Sequence, residues 1–368
     1  MPRLQPDNET FAKIKVVGVG GGGGNAVSRM VESNIHGVDF IAVNADAQDL
    51  HHCKASQKLL IGKNLTKGLG AGMNPEIGRQ AAEENRDDIH EIVKGADLIF
   101  VTYGLGGGVG TGGGPIIAEA AKEAGALTIG VVTKPFGFEG VQRMKVAEDG
   151  WHQLKERVDA LITIPNDKIL QIIERETPLL DAFKVVDDVL RQGVQGISDL
   201  IVTPGIINLD FADVKAIMEE SGSALMGIGQ ATGQERAIEA AKAAISSPLL
   251  EISIEGAKGV LFNVSGGSDL AMSEINEAAK VITESIDPEA KVIFGAVTDE
   301  RLKKGEIKVT VIATGFNETS LPKKVDAVRG EVTKSGKRPS LKPISPVNQE
   351  TEEDIWDIPA FIRRKMTK

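Results

Sequence analysis

The sequence predicts an α/β protein built on a parallel sheet, followed by a smaller α/β region and an extended tail. Three observations lead there. Short apolar runs rich in β-branched residues recur through the first half, separated by amphipathic stretches of helical period. These runs are continuous rather than alternating, as in strands covered on both faces. Two of them lead into glycine-rich segments, and parallel sheets bind their ligands at the carboxyl ends of strands.

In chain order, "KIKVVGVG", "VDFIAVNA", "DLIFVTYG", "LTIGVVTK" and "ALITIPN" read as strands. "NPEIGRQAAEENRDDIHEIVKGA" and "GPIIAEAAKEAG" read as helices between them. The segments "GVGGGGGNA" and "GLGGGVGTGGG" read as loops closing the first strand and "DLIFVTY". A long helix begins at Pro178 and stops near Thr203-Pro204-Gly205, where Pro and Gly end helices. Helical "FADVKAIMEESG" and "ERAIEAAKAAISS" then precede a strand in "KGVLFNVSGG", a helix in "LAMSEINEAAKVITESI", and strands in "KVIFGAVTDE" and "IKVTVIATGF". Beyond Phe316 the chain is polar and proline-bearing to about Glu353, the composition of a disordered linker. The closing "DIWDIPAFIRRKMTK" reads as a short recognition peptide.

Composition narrows the class. A chain of 368 residues exceeds what one core usually fills. Cys53 is the only cysteine, so no intrachain disulfide can form and a reducing compartment is expected. Neither a signal-peptide core nor an apolar run of about 20 residues is visible, so a cytoplasmic protein without membrane insertion is expected. The net charge is −10, and residues 321–350 carry seven Lys/Arg against three Asp/Glu. The acidic body argues against nucleic acid as a partner.

Residues 104–115 hold eight glycines in twelve positions. Glycine lets successive backbone N–H groups approach an anion unobstructed, and a following helix adds its positive end. Two such segments suggest a di- or triphosphate. Gly18-Val19-Gly20-Gly21-Gly22-Gly23 fits the dinucleotide pattern, with Asp39 about 20 residues on, but a glycine run satisfies that pattern almost automatically. No Walker lysine motif occurs. Tight ligand-free turns and a backbone-cradled nucleotide remain.

Further motifs narrow the choice. "GVGGGGGNAV", "NADAQ", "GAGMNPEIG", "GGGVGTG", "KPFGFEG…R", "IPNDK", "DDVLRQGVQGISDLI" and "NLDFADVK" resemble, in order and spacing from about Lys13 to Phe316, the bacterial cell-division tubulin homologue family FtsZ. "DIPAFIRR" resembles that family's C-terminal peptide.

The resemblance implies a tubulin-like fold: an N-terminal extension over 1–12 and a Rossmann-like GTP-binding domain over 13–177. A central helix over 178–203, a smaller polymerisation domain over 204–316, a linker over 317–353 and a partner-binding peptide over 354–368 complete it. It implies a GTP/GDP site with Mg²⁺. The phosphates would be lined by Gly20, Gly21, Gly22, Asn25, Ala45, Ala71, Gly72, Gly104, Gly107, Gly108, Val109, Gly110, Thr111 and Gly112. Pro135, Glu139, Arg143 and Asn166 fall where the family contacts ribose and phosphate. Phe183 and Asp187, four apart on a helix, can stack on a base and accept from guanine N1–H and its 2-amino group, which adenine does not match.

Asp210, Asp213 and Asn208 would complete the catalytic site from the adjacent subunit, making hydrolysis depend on head-to-tail polymerisation into the mid-cell division ring. Asp at a helix start is also an ordinary cap. Asp357, Ile358, Pro359, Phe361, Arg363 and Arg364 would bind the ring's membrane tether and regulators.

Three residues depart from the family pattern: Val109 for Thr, Ala45 for Thr, and Met73 for Gly. Two of these delete a hydroxyl, so slow hydrolysis is the alternative expectation. Tyr103 stands where a small residue is common.

Overall fold

The computed structural model describes residues 12–171, 173, 176–202, 210–250, 254, 256–299 and 302–316. Asn208, the linker and the C-terminal peptide, including Asp357, Ile358, Pro359, Phe361, Arg363 and Arg364, lie outside the described residues.

The chain runs β1 (Ile14–Val19), α1 (Gly20–Glu32), β2 (Val38–Asn44), α2 (Ala47–His52), β3 (Gln57–Leu60), α3 (Lys63–Thr66), α4 (Pro75–Glu84) and α5 (Arg86–Val93). It continues through β4 (Leu98–Gly104), α6 (Gly108–Glu123), β5 (Leu127–Lys134), α7 (Val141–Lys155), β6 (Ala160–Pro165), α8 (Asn166–Ile169) and α9 (Leu179–Val202). Then come α10 (Phe211–Met218), β7 (Gly222–Thr232), α11 (Arg236–Ile245), β8 (Gly259–Gly266), α12 (Met272–Thr283), β9 (Lys291–Thr298) and β10 (Glu306–Thr314).

One sheet orders these strands β3-β2-β1-β4-β5-β6-β7-β10-β8-β9. The run from β3 to β7 is parallel, whereas β10 pairs antiparallel with both β7 and β8. Alternate residues of β1 enter two different cores: Ile14 and Val16 join Val27, Met30 and the buried side of α9, whereas Val17 and Val19 join α4, α5 and α6. Burial on both faces is why the strand sequence shows no polar alternation. A third core, beneath α11 and α12, holds Phe262, Val309 and Val311.

The five strands expected in the first half are present, as are β8, β9 and β10. Two differ from expectation by omission: β3 is only four residues long, and β7 is a glycine-bearing run that has no apolar block to announce it. The single helix expected over 74–96 is two, broken at Asn85, whose backbone (φ −114°, ψ 31°) leaves the helical region. Asn85 Oδ1 accepts from Gly62 N and its Nδ2 donates to Asp88, so the break is held by its own hydrogen bonds.

The glycine runs also differ from expectation. They are not loops: Gly20 to Gly24 form the first turns of α1, and Gly108 to Gly114 those of α6. Glycine costs a helix interior about 1 kcal/mol per residue relative to Ala. Here close packing requires it. A Cβ on Gly112 would lie 1.9 Å from Pro75 O on α4, and one on Gly114 would lie 2.2 Å from the Tyr103 ring.

Candidate functional site

The carboxyl ends of the neighbouring strands β1 and β4 open on a pocket of about 500 Å³. Its floor is the start of α1 (Gly20, Gly21, Gly22) and of α6 (Gly107, Gly108, Val109, Gly110), with Gly104 at the end of β4. Gly20 has φ +68°, a conformation glycine adopts without cost, and a Cβ there would lie 3.1 Å from Gly110 N. Two helices thus aim their N-termini, with their unpaired N–H groups, into one cavity. Neither first turn carries an acidic residue. The walls are Ala71, Gly72 and Met73 on one side and Arg143 on the other.

Three polar residues that sequence reasoning did not single out line the same pocket: Asn44, Asp46 and Asp49. Asn44 is buried and donates from Nδ2 to Asp49 Oδ2 at 2.7 Å. Asp46 caps α2, its Oδ1 accepting from Gln48 N and Asp49 N. Burial, and then the Asp46 charge, push the Asp49 carboxyl above its ordinary value. "NADAQ" held the signal, since a carboxylate just past a strand end in a parallel sheet faces the ligand side.

The remaining candidates lie elsewhere. Ala45 is fully buried in the core beneath α4 and α6, and its carbonyl accepts from Gly70 N. It does not line the pocket, so its missing hydroxyl does not face the phosphate end. Thr111 is also turned away: its Oγ1 accepts from Gly106 N at 3.0 Å and its methyl packs on Gly150 of α7. Gly112 faces α4. Asn25 is exposed on α1, one turn beyond Gly21 and Gly22. Val109 and Met73 do line the pocket, Met73 with φ +61° and its side chain 57% exposed.

Arg143 pairs with Glu139 at 3.0 Å, and Glu139 Oε1 accepts from Phe136 N. Pro135, Phe136 and Asn166 are buried. Arg143 Nε and Asn166 Oδ1 are buried polar atoms without a hydrogen-bond partner among the described residues. Such orphaned groups are costly unless a ligand satisfies them. On α9, Phe183 is partly exposed and meets Phe136 edge-on at 5.5 Å. Asp187 Oδ2 accepts from Arg29 Nε of α1 at 3.1 Å. Burial raises the Asp187 carboxyl above its usual range, and the Arg29 guanidinium opposes that.

Asp210 and Asp213 line none of these walls. Asp210 is the cap of α10, accepting from Asp213 N at 2.9 Å, while Asp213 reaches back to Asp210 N. The described residues hold no cluster of three or more His, Cys, Asp or Glu able to bind a metal alone, and no helix long and apolar enough to cross a membrane. A Mg²⁺ ion would come with the phosphates, with Asp46 and Asp49 the carboxylates at hand.

Comparison with known proteins agrees with this geometry. Residues 13–174 match the Tubulin/FtsZ family GTPase domain, and residues 222–317 match the FtsZ family C-terminal domain. A structure of an empty FtsZ dimer from M. jannaschii is 46% identical over 84% of this chain and 89% of that one, with a TM-score of 0.81. A mutant of the same protein matches at the same identity and TM-score, covering 84% and 92%. CetZ1 from Haloferax volcanii, as a GDP-bound monomer, shares the fold at 23% identity and a TM-score of 0.72, over 83% and 95% of the two chains. The chain belongs to the tubulin/FtsZ family, whose members bind and hydrolyse GTP and include filament-forming proteins.

Proposed function

We propose that this chain is a GTPase that polymerises head-to-tail, each subunit completing its neighbour's active site, and that its filaments build a cytoplasmic division ring. The observation that carries this reading is a separation. The glycine-lined phosphate pocket and the Asp210/Asp213 pair are both present, yet neither Asp lines the pocket of its own chain. A chain whose water-orienting carboxylates are remote from its nucleotide needs a second copy to bring them together. A heterologous contact of that kind generates filaments.

In this reading the α1 and α6 N-termini hold the phosphate oxygens through backbone N–H groups, and Arg143 and Asn166 satisfy their orphaned atoms on ribose and phosphate oxygens. Phe183 stacks on the base and Asp187 accepts from its N1–H and 2-amino group. Asp210 and Asp213 of the incoming subunit, with Asn208, orient the attacking water. A bound Mg²⁺ would supply charge neutralisation on the phosphate oxygens. The peptide "DIPAFIRR" serves as the attachment point for a membrane tether and regulators. A second reading, a filament that binds GTP and hydrolyses it slowly, draws support from Val109, whose side chain lines the pocket without a hydroxyl to offer.

The test is phosphate release from Mg-GTP as a function of protein concentration, alongside sedimentation. The proposal expects a rate per subunit near zero below a threshold and constant above it, with pelleting at the same threshold. A rate per subunit independent of concentration would refute the shared site. Pelleting with GTP but no turnover at any concentration would establish the second reading.

A further inference from the structure

The exposed residues of α1 form one stripe. Gly21, Gly22, Asn25 and Arg29 face outward while Gly23, Gly24, Ala26, Val27 and Met30 are buried. Positions 22, 25 and 29 lie on one helical face, and nine residues separate Gly20 from Arg29, about 13–14 Å along the axis. The stripe therefore leads from the phosphate pocket at the helix start to the Arg29–Asp187 pair, a span comparable to a nucleoside diphosphate laid along the helix. At the far end Arg29 is only 32% exposed, fixed through Nε to Asp187 Oδ2 at 3.1 Å, beside the partly exposed ring of Phe183 on the adjoining α9.

Asp187 alone does not account for a whole purine edge. A carboxylate accepts from N1–H and the 2-amino group, but guanine also presents O6, an acceptor that needs a donor. The only printed contact of Arg29 uses Nε, and its two terminal nitrogens carry four more N–H groups and no acceptor. Building on the reading that Asp187 meets the base, we propose that Arg29 is a specificity-determining residue: its terminal nitrogens donate to O6 of the guanine whose N1–H and 2-amino group Asp187 accepts. Asp187 and Arg29 together then read donor, donor and acceptor. A 6-aminopurine puts an amino group against a guanidinium that cannot accept from it, so it is rejected at O6 as well as at N1. The ion pair also holds Asp187 charged in a half-buried setting, where its acceptor strength is needed.

The experiment measures equilibrium binding of four diphosphates to the nucleotide-stripped full chain: GDP, IDP, the diphosphate of 2-aminopurine riboside, and ADP. GDP and IDP carry O6; the other two do not. Arg29→Met is expected to weaken GDP and IDP about 10-fold or more, the scale of a lost charged hydrogen bond. It should leave 2-aminopurine riboside diphosphate and ADP nearly unchanged, and Arg29→Lys should recover part of the loss. An equal loss across all four ligands, or none, overturns the proposal. The first outcome would make Arg29 a prop for α9, and a loss shared by GDP and the 2-aminopurine nucleotide would mean that it acts only through Asp187. Asp187→Ala separates this inference from the reading beneath it. If Asp187→Ala leaves the GDP-to-ADP ratio unchanged, the base does not meet Asp187 and both fall. If it collapses the ratio while Arg29→Met does not, only the role of Arg29 falls.

Discussion

The ring of Tyr103 lies against the bare backbone of Gly114, so close that a Cβ on that glycine would fall 2.2 Å from Tyr103 Cε1. Tyr103 is fully buried at the end of β4, and Gly110 of the same helix meets its other side. The tyrosine and the glycines of α6 therefore form one packing unit. Gly114→Ala should destabilise the fold by about 1–3 kcal/mol despite the better helix propensity of alanine. Trimming the ring with Tyr103→Leu in the same chain should return part of that. A urea-unfolding double-mutant cycle reads the coupling, and additive effects would show that the contact is not the cause.

Tyr103 also carries a buried hydroxyl without a hydrogen-bond partner among the described residues, and burial raises its pKa well beyond the ordinary tyrosine value. Tyr103→Phe keeps the ring and removes the stranded group. Stability should rise by about 1 kcal/mol. A loss of stability instead would mean that the hydroxyl is satisfied in solution, by water for example.

Met73 stands at φ +61° in the wall of the phosphate pocket. A side chain in the left-handed region costs about 1–2 kcal/mol, and more than half of this one is exposed, so little packing offsets it. Met73→Gly should raise the midpoint of thermal unfolding and leave nucleotide affinity within about 3-fold. A drop in the midpoint would show that the methionine packs in a way that outweighs its backbone strain.

Asp49 gives a pH-dependent prediction. Its carboxyl is raised above the ordinary value by burial and by Asp46, so the folded chain holds this proton more tightly than the unfolded one. Stability contributed by the group is therefore lost as pH rises from the unfolded value through the folded one. Asp49→Asn, which can still accept from Asn44, should gain on the wild type progressively from acid to neutral pH. Unfolding of nucleotide-free protein across that range measures the difference, and a pH-independent difference would contradict the assignment.

Much of this was legible in the sequence because the physics there is local. Continuous Val/Ile runs between amphipathic segments announce buried parallel strands, and β1, β2, β4, β5 and β6 follow. What stayed hidden depends on tertiary contacts. The glycines of α1 and α6 look like loops by propensity, and only the close approach of Pro75 and Tyr103 makes a helix of them. β7, with three glycines and two serine or threonine residues in eleven positions, gains its place from pairing with β6 and β10. At the site, motif spacing located Val109, Gly108 and Arg143 but could not reveal that Ala45 and Thr111 turn inward.

Val109 should respond to Thr in two opposed ways. Its side chain is 8% exposed and packs in the core with Ala71 and Tyr103 while forming part of the pocket wall. Val109→Thr adds a hydroxyl that burial leaves short of partners in the empty chain, costing about 1 kcal/mol of stability. With nucleotide bound, the same hydroxyl can donate to a phosphate oxygen, tightening binding about 10-fold. Melting curves without and with GDP separate the two. A variant less stable in both states by the same amount would show that position 109 does not reach the phosphates.

Asp210 requires a variant that separates capping from chemistry. Its Oδ1 accepts from Asp213 N at the start of α10, so Asp210→Ala loses the cap, about 1 kcal/mol, together with the carboxylate. Asparagine caps about as well as aspartate but carries no charge. Asp210→Asn should therefore melt with the wild type, bind GTP normally and fail to release phosphate. If it turned over at the wild-type rate, Asp210 would be a cap and nothing more. Mixing sharpens the test. An Asp210→Asn chain keeps an intact pocket, and an Arg143→Ala chain keeps an intact Asp210. If each active site spans two subunits, the mixture should recover part of the turnover that neither variant shows alone, because some of its interfaces join the two intact halves.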